Sequence, residues 1–82
     1  MRLTYRTVRV LMFIAEHPGA SNRNIAAGAE VEDQGQISKL LSRLARLDLV
    51  QNVGQGYKLG MANAWRLTER GAQLERAARP RT

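Results

Sequence analysis

Asp33-Gln34-Gly35-Gln36-Ile37-Ser38-Lys39-Leu40-Leu41-Ser42-Arg43-Leu44-Ala45-Arg46-Leu47 is the stretch on which the fold turns. At about 3.6 residues per turn, Ile37, Leu40, Leu41, Leu44 and Leu47 gather into one apolar stripe. Lys39, Arg43 and Arg46 fall together on the opposite side. Gln36 joins them at the N-terminal end, and Gly35 and Ser42 border the polar face. Asp33 is a good N-cap, and Gln36 stands three residues later, as a capping box requires. The spacing predicts an amphipathic, basic helix over 34–47. A solvated face on an ordinary core helix has the same pattern, so the neighbouring segments must decide its meaning.

Upstream, Ser21 predicts the N-cap of a short helix, Asn22 to Gly28, with Ile25 and Ala26 facing inward. Ala29-Glu30-Val31-Glu32 then reads as a tight turn with Val31 as its buried plug. Two short helices joined by a tight turn, the second amphipathic and basic, make a helix-turn-helix. Downstream the period changes from helical to alternating. Leu49-Val50-Gln51-Asn52-Val53 and Ala64-Trp65-Arg66-Leu67 predict two short strands. Between them Gly54-Gln55-Gly56-Tyr57-Lys58-Leu59-Gly60 predicts a long hairpin tip, the wing. A first helix is expected over Thr4 to Glu16, with Val8, Leu11, Met12 and Ala15 as its buried stripe and His17-Pro18-Gly19 as its stop. Val10 and Phe13 fall off that stripe and are expected beneath the C-terminal helix, the alternative being a partner surface. Thr68 caps that last helix, from Glu69 to about Ala78, with Ala72, Leu74 and Ala78 as its packers. The fold class expected is α+β, mostly α: a winged helix-turn-helix with a three-helix core, a two-stranded β wing and a short C-terminal helix. One domain over 1–78 is expected, with 79–82 as a basic disordered tail.

Charge points to the partner. Thirteen Lys and Arg against seven Asp and Glu give +6 over 82 residues. All the bases except Lys39 and Lys58 are arginine. That excess favours an anionic partner. Helix 34–47 is suited to the major groove, where Gln can pair with adenine, and Arg or Lys with guanine, while Ser suits phosphate or base.

Several functions are set aside. With no cysteine there is no disulfide scaffold, thiol nucleophile or thiolate metal site. The longest apolar run, Val10 to Ala15, is far too short to span a bilayer. No signal peptide is read at the N-terminus, so a cytoplasmic, nucleoid-associated protein is expected. His17 has no metal-ligating partner, and its place at a helix end is structural. Glu30, Glu32 and Asp33 are explained by turn solvation and capping. Ser21 and Ser38 lack a His/Asp partner set, and the hairpin glycines lack the Gly-Lys-Ser/Thr of a phosphate loop. Trp65 is expected as a core plug, the alternative being base stacking or a ligand contact. No enzyme, cofactor or metal is expected.

Ile25-Ala26-Ala27, then Ile37-Ser38-Lys39-Leu40-Leu41-Ser42-Arg43-Leu44, then Leu49-Val50 resembles the winged helix-turn-helix core of MarR-type transcription regulators. Arg66-Leu67-Thr68-Glu69-Arg70-Gly71 is similar to that family's strand-to-helix signature. The resemblance covers about residues 4 to 78, and 33–38 and 63–68 also look similar to winged-helix domains of actinobacterial regulators. It implies sequence-specific binding of double-stranded DNA and transcription regulation in a bacterial cytoplasm. Matched by position, Gln34, Gln36, Ser38, Lys39 and Arg43 take the groove-facing places of the recognition helix. Ser21, Asn22 and Arg23 take places where such domains hold phosphate, and Tyr57 and Lys58 sit on a wing that reaches the backbone or minor groove. Together with Gly35, Ser42 and Arg46 these form the candidate DNA-binding set.

There are departures. Glu30 and Asp48 stand where the family usually has glycine, the turn is one residue longer, and the usual Asp-x-Arg of the wing is replaced by Gln55-Gly56-Tyr57-Lys58. The dimerisation helices of full-length relatives do not fit in 82 residues. An excised domain of a larger parent, a minimal protein and a differently built homodimer remain open. Two other readings stay beside DNA regulation: a winged-helix protein–protein interaction module and a non-specific nucleic-acid binder. RNA binding is disfavoured for want of an aromatic platform, and membrane binding because the bases are spread over several elements.

Overall fold

The computed structural model describes residues 3–54 and 63–79. The chain runs α1 (Tyr5–Glu16), α2 (Asn22–Gly28), α3 (Gln34–Arg46), β1 (Val50–Asn52), β2 (Trp65–Leu67) and α4 (Glu69–Ala78), the order expected from the sequence. The strands pair antiparallel, Val50 opposite Leu67 and Asn52 opposite Trp65. The Val53 N–H donates to the Ala64 carbonyl at 2.7 Å, carrying the pairing toward the wing. On the other side of β2, Ala20 bridges to Trp65 as a third, one-residue strand, which the sequence pattern did not reveal.

Each helix starts where a short oxygen-bearing side chain accepts from an otherwise orphaned N–H. Thr4 caps α1, and Ser21 caps α2 in a reciprocal box with Asn24. Asp33 Oδ1 caps α3, accepting from Gly35 and Gln36 at 2.8 and 3.4 Å. The box expected between Asp33 and Gln36 is one-sided, because the Gln36 side chain turns away to Arg6. Thr68 caps α4, accepting from the Gly71 N–H at 3.0 Å, while its hydroxyl donates to the Asp48 carbonyl at 2.6 Å.

Both helices of the helix-turn-helix end in Schellman motifs. After α2, Glu30 N–H donates to Ala27 and Val31 N–H to Ala26; after α3, Asp48 N–H donates to Ala45 and Leu49 N–H to Leu44. That geometry puts one residue in the left-handed region. Here those residues are Glu30 (φ 59°) and Asp48 (φ 61°). These are the two positions at which the resemblance to MarR-type regulators implies glycine.

The core is built from Val10, Leu11 and Ile14 of α1, Ile25 of α2, Val31 of the turn, Ile37, Leu41 and Leu44 of α3, then Leu49, Val50 and Trp65. On α3 the predicted stripe holds, with Leu40 and Leu47 half-buried at its margins. On α1 it is displaced. Thr7, Val10, Leu11 and Ile14 are buried, while Val8, Met12 and Ala15 are only half-buried. The spacing is still i, i+3, i+4, i+7, but the stripe opens on a threonine, whose polarity hides it. Phe13 is not beneath α4: its ring lies on Gly28 at the end of α2, where a Cβ would overlap it.

α4 also differs from expectation, since Ala72, Leu74 and Ala78 are half-buried and the buried positions are Gly71 and Glu75. Gly71 lets the helix rest on the backbone of Leu49, a contact any Cβ would block. Glu75 is tolerated inside because Arg79 grips its carboxylate at 2.6 and 2.8 Å. The hydrogen bond, and then the charge, of Glu75 raise the Arg79 pKa above its ordinary value.

Candidate nucleic-acid interface

α3 packs its leucines inward, so its polar side has nowhere to go but solvent. Gln34, Gly35, Gln36, Ser38, Lys39, Ser42, Arg43 and Arg46 are all exposed. Ser38, Lys39, Ser42, Arg43 and Arg46 line one open groove. Among the described residues, Lys39, Arg43 and Arg46 are in no ion pair; the pairs present are Arg9–Glu30 and Arg79–Glu75. The cationic groove is thus uncompensated, and its field is available to an anion.

At the N-terminal end of this face the structure adds Arg6, which sequence reasoning missed. Its Nη1 donates to Gln36 Oε1 at 3.1 Å, and Arg6, Gln36 and Arg43 share a hollow between α1 and α3. Thirty residues separate Arg6 from Gln36, so no local pattern signals the pair. Gly35 also stands against the cap of α3, because a Cβ there would press on the capping oxygen of Asp33 at 3.2 Å.

The three residues matched to phosphate-holding places diverge. Ser21 is occupied in capping α2. Asn22 is half-buried with its amide engaged on both sides: Oδ1 accepts from Trp65 Nε1 at 2.6 Å and Asn63 Nδ2 at 3.3 Å, and Nδ2 donates to Ser38 Oγ at 3.1 Å. Arg23 is exposed and in no ion pair among the described residues. Tyr57 and Lys58, and all of the wing 54–60 except Gly54, lie outside the described residues. Trp65 is 7% exposed and joins the core, as a plug whose indole N–H is satisfied by Asn22. His17 rests against Phe13, ring centroids 4.5 Å apart. Among the described residues no group of three or more His, Cys, Asp or Glu converges as a metal site, and no helix is long and apolar enough to cross a membrane.

A helix-turn-helix, the antiparallel strand pair that follows it and a cationic outward face on the second helix define a domain of the winged helix-turn-helix class. Several solved structures share it. PcaV, a transcriptional regulator from Streptomyces coelicolor, superposes with a TM-score of 0.78 at 26% identity, over 90% of this chain and 53% of its own. FabT of Streptococcus pneumoniae, solved in complex with DNA, gives 0.79 at 16% identity over 92% and 51%. ZitR, a zinc-responsive MarR family member from Lactococcus lactis, gives 0.76 at 21% identity over 93% and 51%. The fold is that of the winged-helix domain in MarR-type regulators, and the chain spans about half the length of these solved structures. No protein-family model and no curated protein sequence matches the chain.

Proposed function

We propose that this chain binds double-stranded DNA in a sequence-specific way and regulates transcription, with α3 in the major groove and the wing over 54–60 on the backbone or minor groove. The observation that carries the reading is the groove of Ser38, Lys39, Ser42, Arg43 and Arg46, exposed on one helix face with no acidic side chain in its wall. A protein-docking helix needs apolar anchors on that face. The large hydrophobics that stand exposed among the described residues are Tyr5 and Val53, and neither is on α3.

In this reading Lys39, Arg43 and Arg46 supply affinity, while Gln34, Gln36, Ser38 and Ser42 supply preference, with Gly35 keeping the helix start slim. Arg23, Tyr57 and Lys58 add backbone contacts. The unit comprises residues 1–78, with 79–82 as a basic tail whose first residue, Arg79, is anchored on Glu75, and works in a bacterial cytoplasm at the nucleoid. One such unit covers one half-site, so tight binding calls for a homodimer or a larger parent protein.

The test is selection and sequencing of random duplexes bound near physiological salt. An enriched site, palindromic or single, supports the reading. Salt-sensitive binding with no enrichment reduces the chain to a non-specific binder. Absence of duplex binding, with an acidic protein captured instead, overturns it.

A further inference from the structure

A chain of one-way hydrogen bonds runs from the base of the wing and from the core to the DNA-facing helix. It has two ends at which the donor is not in doubt. At one, the backbone N–H groups of Gly54 and Ala64 meet Asn52 Oδ1 at 3.0 and 3.1 Å. These groups only donate, so the Asn52 atom between them is its oxygen and Asn52 Nδ2 is left to donate to Asn63 Oδ1 at 2.8 Å. Asn63 must then offer its own Nδ2 onward, and it does so to Asn22 Oδ1 at 3.3 Å. At the other end, the Trp65 indole N–H, also a donor only, meets the same Asn22 Oδ1 at 2.6 Å.

Two independent donors thus fix the Asn22 amide in one orientation. Its Nδ2 faces Ser38 Oγ at 3.1 Å. An NH₂ group cannot accept, so the Ser38 hydroxyl accepts from Asn22 and its own hydrogen points elsewhere. Ser38 is exposed on the wall of the basic groove beside Lys39, Ser42 and Arg43.

We infer that Asn22 is a positioning residue that makes Ser38 an outward hydrogen-bond donor, selecting an acceptor on the nucleic acid, either a phosphate oxygen or a purine N7, guanine O6 or thymine O4 edge. A serine hydroxyl carries one hydrogen and two lone pairs; here the neighbour occupies one lone pair and turns the hydrogen away from itself, toward the groove. The inference rests on the DNA-binding reading above, and its content is the sign of one contact.

A double-mutant cycle on a selected duplex tests it. Ser38→Ala in the natural background removes one donor and weakens binding about five-fold. Asn22→Asp keeps an oxygen for Trp65 but presents a second acceptor to Ser38, so the hydroxyl turns inward to donate to it. The added negative charge weakens every duplex, yet it is common to both members of the pair and cancels in the cycle. In the Asn22→Asp background, Ser38→Ala therefore produces no further loss. A full five-fold loss there overturns the inference while leaving DNA binding intact. Loss on selected and random duplexes alike assigns the acceptor to phosphate; loss confined to the selected duplex assigns it to a base edge.

Exchange of the Trp65 indole proton, followed by NMR without DNA, gives a readout that does not depend on the variants' binding. Slow exchange in the natural chain, lost in Asn22→Ala, supports the bond chain. Exchange at the rate of an exposed indole overturns it. A natural chain that binds no duplex at all sinks the functional reading and the donor role of Ser38 with it, even if the indole is protected.

Discussion

Replacing Asp48 with glycine should stabilise the protein, although no contact is added. Asp48 holds the left-handed position that ends α3, with φ of 61°. An L-residue there pays about 1–2 kcal/mol, and aspartate sits toward the lower end because its short polar side chain tolerates the region. Its charge also lies beside the last carbonyls of α3, where an anion costs roughly 0.3–1 kcal/mol. Glycine removes both penalties but brings back about 0.5–1 kcal/mol of unfolded-chain entropy. The balance is a gain of about 0.5–1 kcal/mol, or roughly 2–8 °C in Tm for a domain of this size. The Asp48 backbone carbonyl keeps its bond from Thr68 in the variant, since a backbone atom accepts it. Urea unfolding can be followed through Trp65, the one tryptophan and a buried one. The midpoint should rise with an unchanged slope. Asp48→Asn serves as control, because it removes the charge and retains a side chain at the strained position; its gain should be screened away by salt, while the conformational part of the glycine gain persists. A lower midpoint for Asp48→Gly would refute the reasoning, as it would mean that the aspartate side chain contributes more than its strain and charge cost.

At the other left-handed residue, Glu30 at φ 59°, Glu30→Gly should also stabilise the protein, with the gain reduced by loss of the exposed Arg9 ion pair; in a thermal melt at high salt, where the pair and the charge at the helix end are both screened, the conformational gain should remain. Gly71→Ala places a methyl on the Leu49 carbonyl and should cost about 2 kcal/mol or more, because backbone must move to admit it; an unchanged melting curve would show that α4 does not rest there. Thr68→Ala loses the cap of α4 together with the bond to Asp48 and should cost about 1–2 kcal/mol in urea unfolding. For binding, Gln36→Ala should cost about 1–3 kcal/mol on a selected duplex and much less on random DNA, and equal weakening of both would remove Gln36 from base readout. Arg43→Glu should weaken all duplexes and flatten the dependence of affinity on salt, so an unaltered slope in a fluorescence-anisotropy titration would take Arg43 off the phosphates.

Sequence by itself determined the features whose physics is local. The caps at Ser21, Asp33 and Thr68, the leucine stripe of α3 and the switch to strand spacing at Leu49 each depend on residues within a turn or two of one another, so periodicity exposes them. The outward cationic face followed at no further cost, because burying Ile37, Leu41 and Leu44 leaves Lys39, Arg43 and Arg46 in solvent. The placement of Glu30 and Asp48 was legible as a departure from glycine, though their left-handed backbone was not.

Tertiary structure alone decided what depends on partners distant in the chain. Thr7 joins the core stripe of α1 because other elements close over it, and a polar residue carries no hydrophobic signal of its own. Phe13 turns to Gly28, and α4 buries a glycine and a glutamate, because close backbone approach and an i, i+4 arginine outweigh side-chain hydrophobicity at those positions. Arg6 reaches Gln36, and Asn22 ties Trp65 to Ser38, across 30 and 16 or more residues. A hydrogen bond has a direction, and that direction is set by which donors the fold brings together; the residue types name what can bond, and only their juxtaposition says which way.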